Sequence, residues 1–386
     1  MMFTIPITET LLTGAAELEV TERGFRPHRL PRDVLRRFPD PQLTAMEAQP
    51  SGVTIAFRTS ATDVELVSHP MRATYAGAER PRGRIDLVVD GSMVATDELT
   101  QGDAFELDLR DGTSTFHPGV PHISAFRGLP SGDKEIEIWL PHNESLELIS
   151  ISVNAPVSPS EKPDARVWVH YGSSISQGSN AAGPTGIWPA IAARAGGLRL
   201  RNLGFGGSAL LDPFIARVIR DAPADFISLK IGINIVNLDS MRLRAFVPAL
   251  HGFLDTIRDG HPYTPIVVIS PIFCGIHENT PGPGSVDVAT LGTDQVRFLA
   301  SGDVDDTRFG RLTLAVIREA MAAAIAGRCE PNMAYLDGLD LYGPGDADEF
   351  PLPDALHPDT RTHHLIGERF TRSVVAGWTA RPYEYR

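Results

Sequence analysis

The stretch Val169-His-Tyr-Gly-Ser-Ser-Ile-Ser-Gln-Gly178 decides how the rest of the chain is read. An apolar, β-prone approach (Val167, Trp168, Val169) runs into Gly172, two serines and a polar segment closed by glycine. That is the pattern of a strand ending in a tight turn where a helix begins, which lifts one hydroxyl above the sheet edge. A serine so placed is a nucleophile if a base can reach it. Serines also cap helices, and Ser173, Ser174 and Ser176 are all candidates for that plainer role. Taken alone, the stretch favours capping.

Working outward, the chain around it has two grammars. Beyond the stretch, short apolar runs alternate with longer helical ones. Strands are expected at Val167–Tyr171, Leu198–Gly204, Phe226–Ile231, Ile266–Pro271 and Asn332–Asp337. Helices are expected at Trp188–Ala195, Pro213–Asp221, Leu243–Asp259, Gly310–Gly327 and Thr360–Trp378. Such alternation predicts an α/β domain, a parallel sheet covered on both faces, over residues 164–386. Ligands of such sheets bind at the carboxyl ends of the strands.

Before it, residues 50 to 153 alternate with period two: Val53, Ile55, Phe57; Ile85, Leu87, Val89; Phe105, Leu107, Leu109; Ile136, Ile138, Leu140. Asp90-Gly91 and Asp111-Gly112 punctuate these runs, and a last strand covers Leu146–Val153 with a change of apolar phase between Leu148 and Ile149. This predicts an all-β antiparallel sandwich or jelly roll over residues 1–155, with a bulge in its last strand. A short helix is expected around Pro31–Phe38. The Pro- and Ser-rich run Asn154–Pro163 reads as a linker.

Composition narrows the function classes. The chain has 386 residues, 42% hydrophobic and 22% charged, ordinary for a soluble globular protein of two domains. A net charge of -13 argues against nucleic acid as a partner, because that binding needs a basic face. Two cysteines, Cys274 and Cys329, make neither a zinc cluster nor a disulfide framework, and read as reduced, buried thiols. No basic segment followed by an apolar one marks a secretory signal, and no run of about 18 apolar residues could span a bilayer. The chain reads as cytoplasmic, with no membrane partner.

Three further features follow the expected strands. Asn202-Leu-Gly-Phe-Gly-Gly-Ser208 lets backbone approach a ligand closely and exposes N–H groups, though it lacks the spacing and lysine of a phosphate loop. Leu229-Lys-Ile-Gly-Ile-Asn234 sets an amide at a strand end, where it can donate to a developing oxyanion or close a turn. Leu352-Pro-Asp-Ala-Leu-His-Pro-Asp359 holds Asp354 and His357 three apart, so one loop could orient an imidazole by its own carboxylate. Asp359 reads as the cap of the last helix.

The order Ser, Gly, Asn, Asp-x-x-His on successive strand ends resembles the SGNH hydrolases, the GDSL-type esterase and lipase superfamily. Gly172-Ser-Ser-Ile175 is similar to the first block, Asn202 to Gly207 to the second, Gly232-Ile-Asn234 to the third, and Asp354-Ala-Leu-His357 to the last. The resemblance covers residues 165 to 378 and implies a flavodoxin-like three-layer α/β/α hydrolase. It makes Ser174 the nucleophile, His357 the base and Asp354 its orienting partner. It implies an oxyanion hole from the backbone N–H groups of Ser174 and Gly207 and the side chain of Asn234. Two positions depart from the family pattern, Ser173 where an aspartate usually precedes the nucleophile and Ile235 where an aspartate usually follows the asparagine. Residues 50–153 resemble the β-sandwich that precedes the catalytic domain in some bacterial members.

The expected function is a serine esterase acting without cofactor or metal on a short-chain acyl ester, a small molecule or acetylated carbohydrate. An acyltransferase using the same acyl-enzyme, and a carbohydrate-binding protein with a decayed hydrolase unit, are the alternatives. His277 and Glu278, after the fourth strand, either line the substrate pocket or are exposed loop residues. Trp188 either shapes the substrate site or packs in the core. Asn279–Ser285 has the composition of a lid or an interface arm. Homo-oligomers are common among such enzymes, but nothing in the sequence sets a subunit number.

Overall fold

The computed structural model of the protein describes residues 2–77, 80–108, 111–160, 165–293 and 295–379. They fall into two compact units. The first gathers the residues up to Ala165 with Ala182–Gly186 and Arg199–Asn202; the second gathers Arg166–Ala181, Ile187–Leu198 and the residues from Leu203 on.

The first unit is β-rich, with one sheet of eight strands and one of six. Period-two alternation sends Ile55 and Phe57, Ile85 and Leu87, Ile136 and Ile138 from the smaller sheet into one apolar core, where Leu66, Leu146, Leu148 and Ile151 of the larger sheet meet them. Asp90 and Gly91 both adopt positive φ (47° and 81°), as a two-residue turn requires, and join antiparallel strands Arg84–Val89 and Ser92–Glu98. The strand Ser145–Val153 shifts register against Val64–Tyr75 between Leu148 and Ser150, where the apolar phase changes.

Three expectations change here. Phe105 faces outward, 43% exposed beside its cross-strand partner Phe116; the buried position of that strand is Asp103, which accepts hydrogen bonds from Arg23 (3.1 Å) and the Gly119 N–H (2.8 Å). Leu109 lies outside the described residues. The expected linker contributes an edge strand, Val157–Pro159, paired with Phe57–Thr59, a place where proline is tolerated because one side of the strand is unpaired. Besides the helix Arg32–Arg37 there is a second one, Pro41–Glu47, begun by Asp40, whose carboxylate accepts from the Leu43 N–H at 2.6 Å.

A third sheet has five strands. Its strands are β1 (Val167–Gly172), β2 (Arg199–Gly204), β3 (Phe226–Lys230), β4 (Ile266–Ile269) and β5 (Met333–Leu336), in the order β2-β1-β3-β4-β5. The recorded registers of β1–β3, β3–β4 and β4–β5 are parallel. Because crossovers are right-handed, the helix between β1 and β2 (Trp188–Gly196) lies on one face, and those made while the chain returns across the sheet (Pro213–Asp221, Leu243–Gly260, Leu314–Arg328) lie on the other. The packing agrees: Thr360–Phe370 packs on Trp188–Gly196, and Leu243–Gly260 on both of its neighbours. This is the flavodoxin-like three-layer order, with its switch point between β1 and β3.

The helix expected from Gly310 begins at Leu314, where Thr313 Oγ1 accepts from the Val316 N–H; Val304–Phe309 is a separate 3-10 helix ended by Gly310 at φ 81°. The last helix is α over Thr360–Phe370 and π over Thr371–Val375. Cys274 is buried as expected, but Cys329 is exposed, at φ 51° on the helix end. Among the described residues no helix is long and apolar enough to cross a membrane.

Candidate active site

β1 is an interior strand: Trp168, Val169, His170 and Tyr171 are fully buried. It ends at Gly172 because the chain folds back so tightly that a Cβ there would overlap Ser176 Oγ. Ser173 is the N-cap of the four-residue helix Ser174–Gln177, and its Oγ accepts from the Ile175 N–H at 3.3 Å. Ser173 thus does the capping work open to an aspartate or a serine alike. Ser176 is taken by His170, Oγ to Nε2 at 2.7 Å. Of Ser173, Ser174 and Ser176, Ser174 is the one left half-buried rather than buried.

The carboxyl end of β2 packs on this short helix. A Cβ on Gly204 would overlap Gln177 N, and Gln177 Oε1 accepts from the Gly206 N–H at 2.8 Å, so the glycine loop is tied to the serine turn. Gly207 sits at φ 71°, a conformation suited to glycine. After β3, Gly232 (φ 127°) turns the chain into the helix Ile233–Asn237. Asn234 Oδ1 accepts from the Ala209 N–H at 3.1 Å, which fixes the amide between the glycine loop and the helix. Ile235, the residue after it, is fully buried. Neither Asn234 Nδ2 nor the N–H groups of Ser174 and Gly207 have a protein partner among the described residues.

The turn Asp354–His357 reaches the same edge from beyond β5. Asp354 Oδ1 accepts from the N–H groups of Leu356 (2.9 Å) and His357 (2.6 Å), with Ala355 between them at φ 68°. Asp354 Oδ2 lies 2.8 Å from His357 Nδ1, and His357 Nε2 lies 2.9 Å from Ser174 Oγ. Burial pushes the Asp354 carboxyl up, but the hydrogen bond and charge of His357 and the two backbone donors outweigh it and hold its pKa below the usual value. Asp359 caps the following helix, accepting from the Thr362 N–H at 2.8 Å.

Two contacts had no signal in the sequence. Asn180 Nδ2 donates to Asp354 Oδ2 at 3.1 Å, giving that oxygen a second donor. Phe298 sets its ring edge-to-face with the His357 imidazole, centroids 5.5 Å apart. Asn180, at φ 65°, could have been flagged only as a turn residue.

The remaining candidates are engaged with other partners. His277 is fully buried, its ring nitrogens 3.2 Å from Thr280 O and 3.1 Å from Asn237 Oδ1. Glu278 is ion-paired with Arg318. Trp188 is fully buried in an aromatic cluster with Trp168, His170 and Phe370. None of the three has a hydrogen bond or ion pair to Ser174, Asp354 or His357 among the described residues. Beneath the site, burial drives Lys230 down to about 8 and the Cys274 thiol up to about 12, which leaves the thiol protonated and inert. Among the described residues no group of three His, Cys, Asp or Glu side chains is arranged to hold a metal ion.

The serine turn, the glycine loop, the asparagine and the Asp-x-x-His loop thus all follow strands of one flavodoxin-like sheet. Residues 165–274 match the model of the GDSL-like Lipase/Acylhydrolase family and residues 11–148 that of the SsfX3 N-terminal domain. The two matches follow one another along the chain, the N-terminal one first. The matched segment holds Ser174, Gly207 and Asn234; Asp354 and His357 lie beyond it. Among solved structures the chain is similar to the salicylyl-acyltransferase SsfX3 from a tetracycline biosynthetic pathway, with TM-score 0.79 and 28% identity over 97% of both chains. It is also similar to a protein from Bacteroides ovatus described as a GDSL-like lipase (TM-score 0.65, 20% identity, 97% of both chains). A family two carbohydrate esterase from Cellvibrio japonicus shares the fold (TM-score 0.57, 12% identity, 98% of this chain and 99% of that one). No curated protein matches the chain by sequence.

Proposed function

We propose that the protein is a serine esterase that cleaves short-chain acyl esters through an acyl-enzyme on Ser174. The observation that carries this reading is the bonded run from Ser174 Oγ through His357 Nε2 and Nδ1 to Asp354 Oδ2, at 2.9 and 2.8 Å. His357 takes the Ser174 proton as Oγ attacks the ester carbonyl, and Asp354 stabilises the imidazolium that results. The tetrahedral oxyanion is received by the N–H groups of Ser174 and Gly207 and by Asn234 Nδ2, donors that have no other partner among the described residues. His357 then returns the proton to the departing alkoxide. Water, activated by the same imidazole, releases the acid. No step calls for a cofactor or a metal. Small-molecule esters and acetylated carbohydrate are the substrate classes proposed.

The decisive measurement is hydrolysis of short p-nitrophenyl esters by the wild type and Ser174→Ala. Loss of the nucleophile is expected to lower kcat by about 10⁴- to 10⁶-fold. Equal rates would sink the assignment.

A second reading is acyl transfer, in which an acceptor hydroxyl replaces water. It is favoured by the likeness to the acyltransferase SsfX3 over 97% of both chains, N-terminal domain included. Product analysis with and without an acceptor alcohol separates the two, since a transferase yields the new ester in preference to free acid.

A further inference from the structure

Between β4 and the helix Leu314–Arg328 the chain leaves the alternating pattern and forms a hairpin arm, Gly284–Val286 paired antiparallel with Phe298–Ala300. The arm is rooted on the helix that carries Asn234. A Cβ on Gly282 would overlap Val236 O, and one on Gly284 would overlap Asn237 Oδ1. His277 fastens this root through Asn237 Oδ1 and Thr280 O. The other strand of the arm ends at the base loop, where the Phe298 N–H donates to Asp354 O at 2.8 Å and the Phe298 ring meets the His357 imidazole at 78°.

We propose that Phe298 is a positioning residue for His357, and that it matters most after Ser174 has been acylated; this rests on the acyl-enzyme reading above. In the free enzyme two hydrogen bonds hold the imidazole, one at each nitrogen. Acylation turns Ser174 Oγ into an ester oxygen with no proton to offer, so the bond at Nε2 is lost. Among the described residues the ring is then held by Asp354 at Nδ1 and by the aromatic edge-to-face contact, which resists its tilting away from the incoming water or alcohol. Such contacts are worth about 0.5–1.5 kcal/mol, a factor of about three to ten in rate. Acylation, in which both hydrogen bonds are still in place, needs the ring less.

The test is to measure acylation and deacylation separately, with rapid quench and mass spectrometry of acetylated Ser174 during turnover of p-nitrophenyl acetate. In Phe298→Ala, deacylation is expected to slow three- to tenfold while acylation holds, so kcat and KM fall together and acetyl-enzyme accumulates. Phe298→Leu fills the space without a flat ring and should show the same slowing; Phe298→Tyr should keep wild-type deacylation. A fall of both steps by the same factor in Phe298→Ala, or no fall in either, overturns the proposal. Failure of the acyl-enzyme reading is distinguishable, because no acetyl group would then be found on Ser174 in the wild type.

Discussion

At Asn234 the two ends of one amide are used differently. The oxygen is spent on the Ala209 N–H at 3.1 Å, and the nitrogen has no protein partner among the described residues. Asn234→Ala is therefore expected to lower kcat by about 10²–10³-fold with little change in KM, since the lost donor acts on charge that develops only in the transition state. Steady-state kinetics on a p-nitrophenyl ester checks the split; a rise in KM at constant kcat would place Asn234 in ground-state binding instead. In the sequence this residue was legible as an amide at a strand end, and as an oxyanion donor only through the family resemblance. Asn180 and Phe298 were not legible, because each gains meaning only from touching the Asp354–His357 turn, 174 and 56 positions along the chain (354 minus 298 for the latter). His277 and Trp188 were legible only as residue types, and burial decided where they sit.

Among the elements, the short helix Ser174–Gln177 depends on glycines that its neighbours present to it. Gly204→Ala would drive a methyl group into Gln177 N, and overpacking of this kind costs about 1–3 kcal/mol. Urea denaturation should register that loss, together with reduced kcat as the serine turn shifts; unchanged stability and rate would show that β2 can slide away from the helix. Asp359→Ala removes a cap instead. It should cost about 1 kcal/mol of stability with kcat nearly unchanged, because Asp359 supports the helix after the base rather than the base itself. The five strands and the long helices of the α/β domain were legible from period, but Val64–Tyr75, Ser92–Glu98 and His122–Phe126 of the first unit were not expected. Nor was the strand Val157–Pro159, a run of three residues fixed by its pairing partner; of the hairpin arm, composition flagged only Asn279–Ser285 and not its pairing with Phe298–Ala300.

Over the whole molecule, pH acts through imidazoles buried in the neutral form. Burial, with the charge of Lys230 adding to it, lowers His170 to about 3, and burial lowers His363 to about 4, against 6.5 in the unfolded chain. Below pH 6.5 the unfolded state binds protons that the folded state does not, so stability falls as pH falls, by about 1.4 kcal/mol per unit for each such group. From pH 7 to 5, His170→Gln should lose about 2 kcal/mol less unfolding free energy than the wild type. Parallel losses in the two proteins would mean that His170 is not held neutral. A parallel sheet covered on both faces was readable from strand and helix alternation, whereas the flavodoxin-like strand order was implied only by the family resemblance.

The bond between Ser174 and His357 closes a separation of 183 positions, and that distance has a meaning in time as well as in space. Synthesis runs from the N-terminus at about 5–20 residues per second, so the serine waits about 10–40 s for its base to be made. Through that interval the turn at β1 can fold against its own glycines, yet its hydroxyl has no proton acceptor beside it. With Ser174 as the nucleophile proposed above, the growing chain carries it shaped but unarmed until the Asp354–His357 turn has been made.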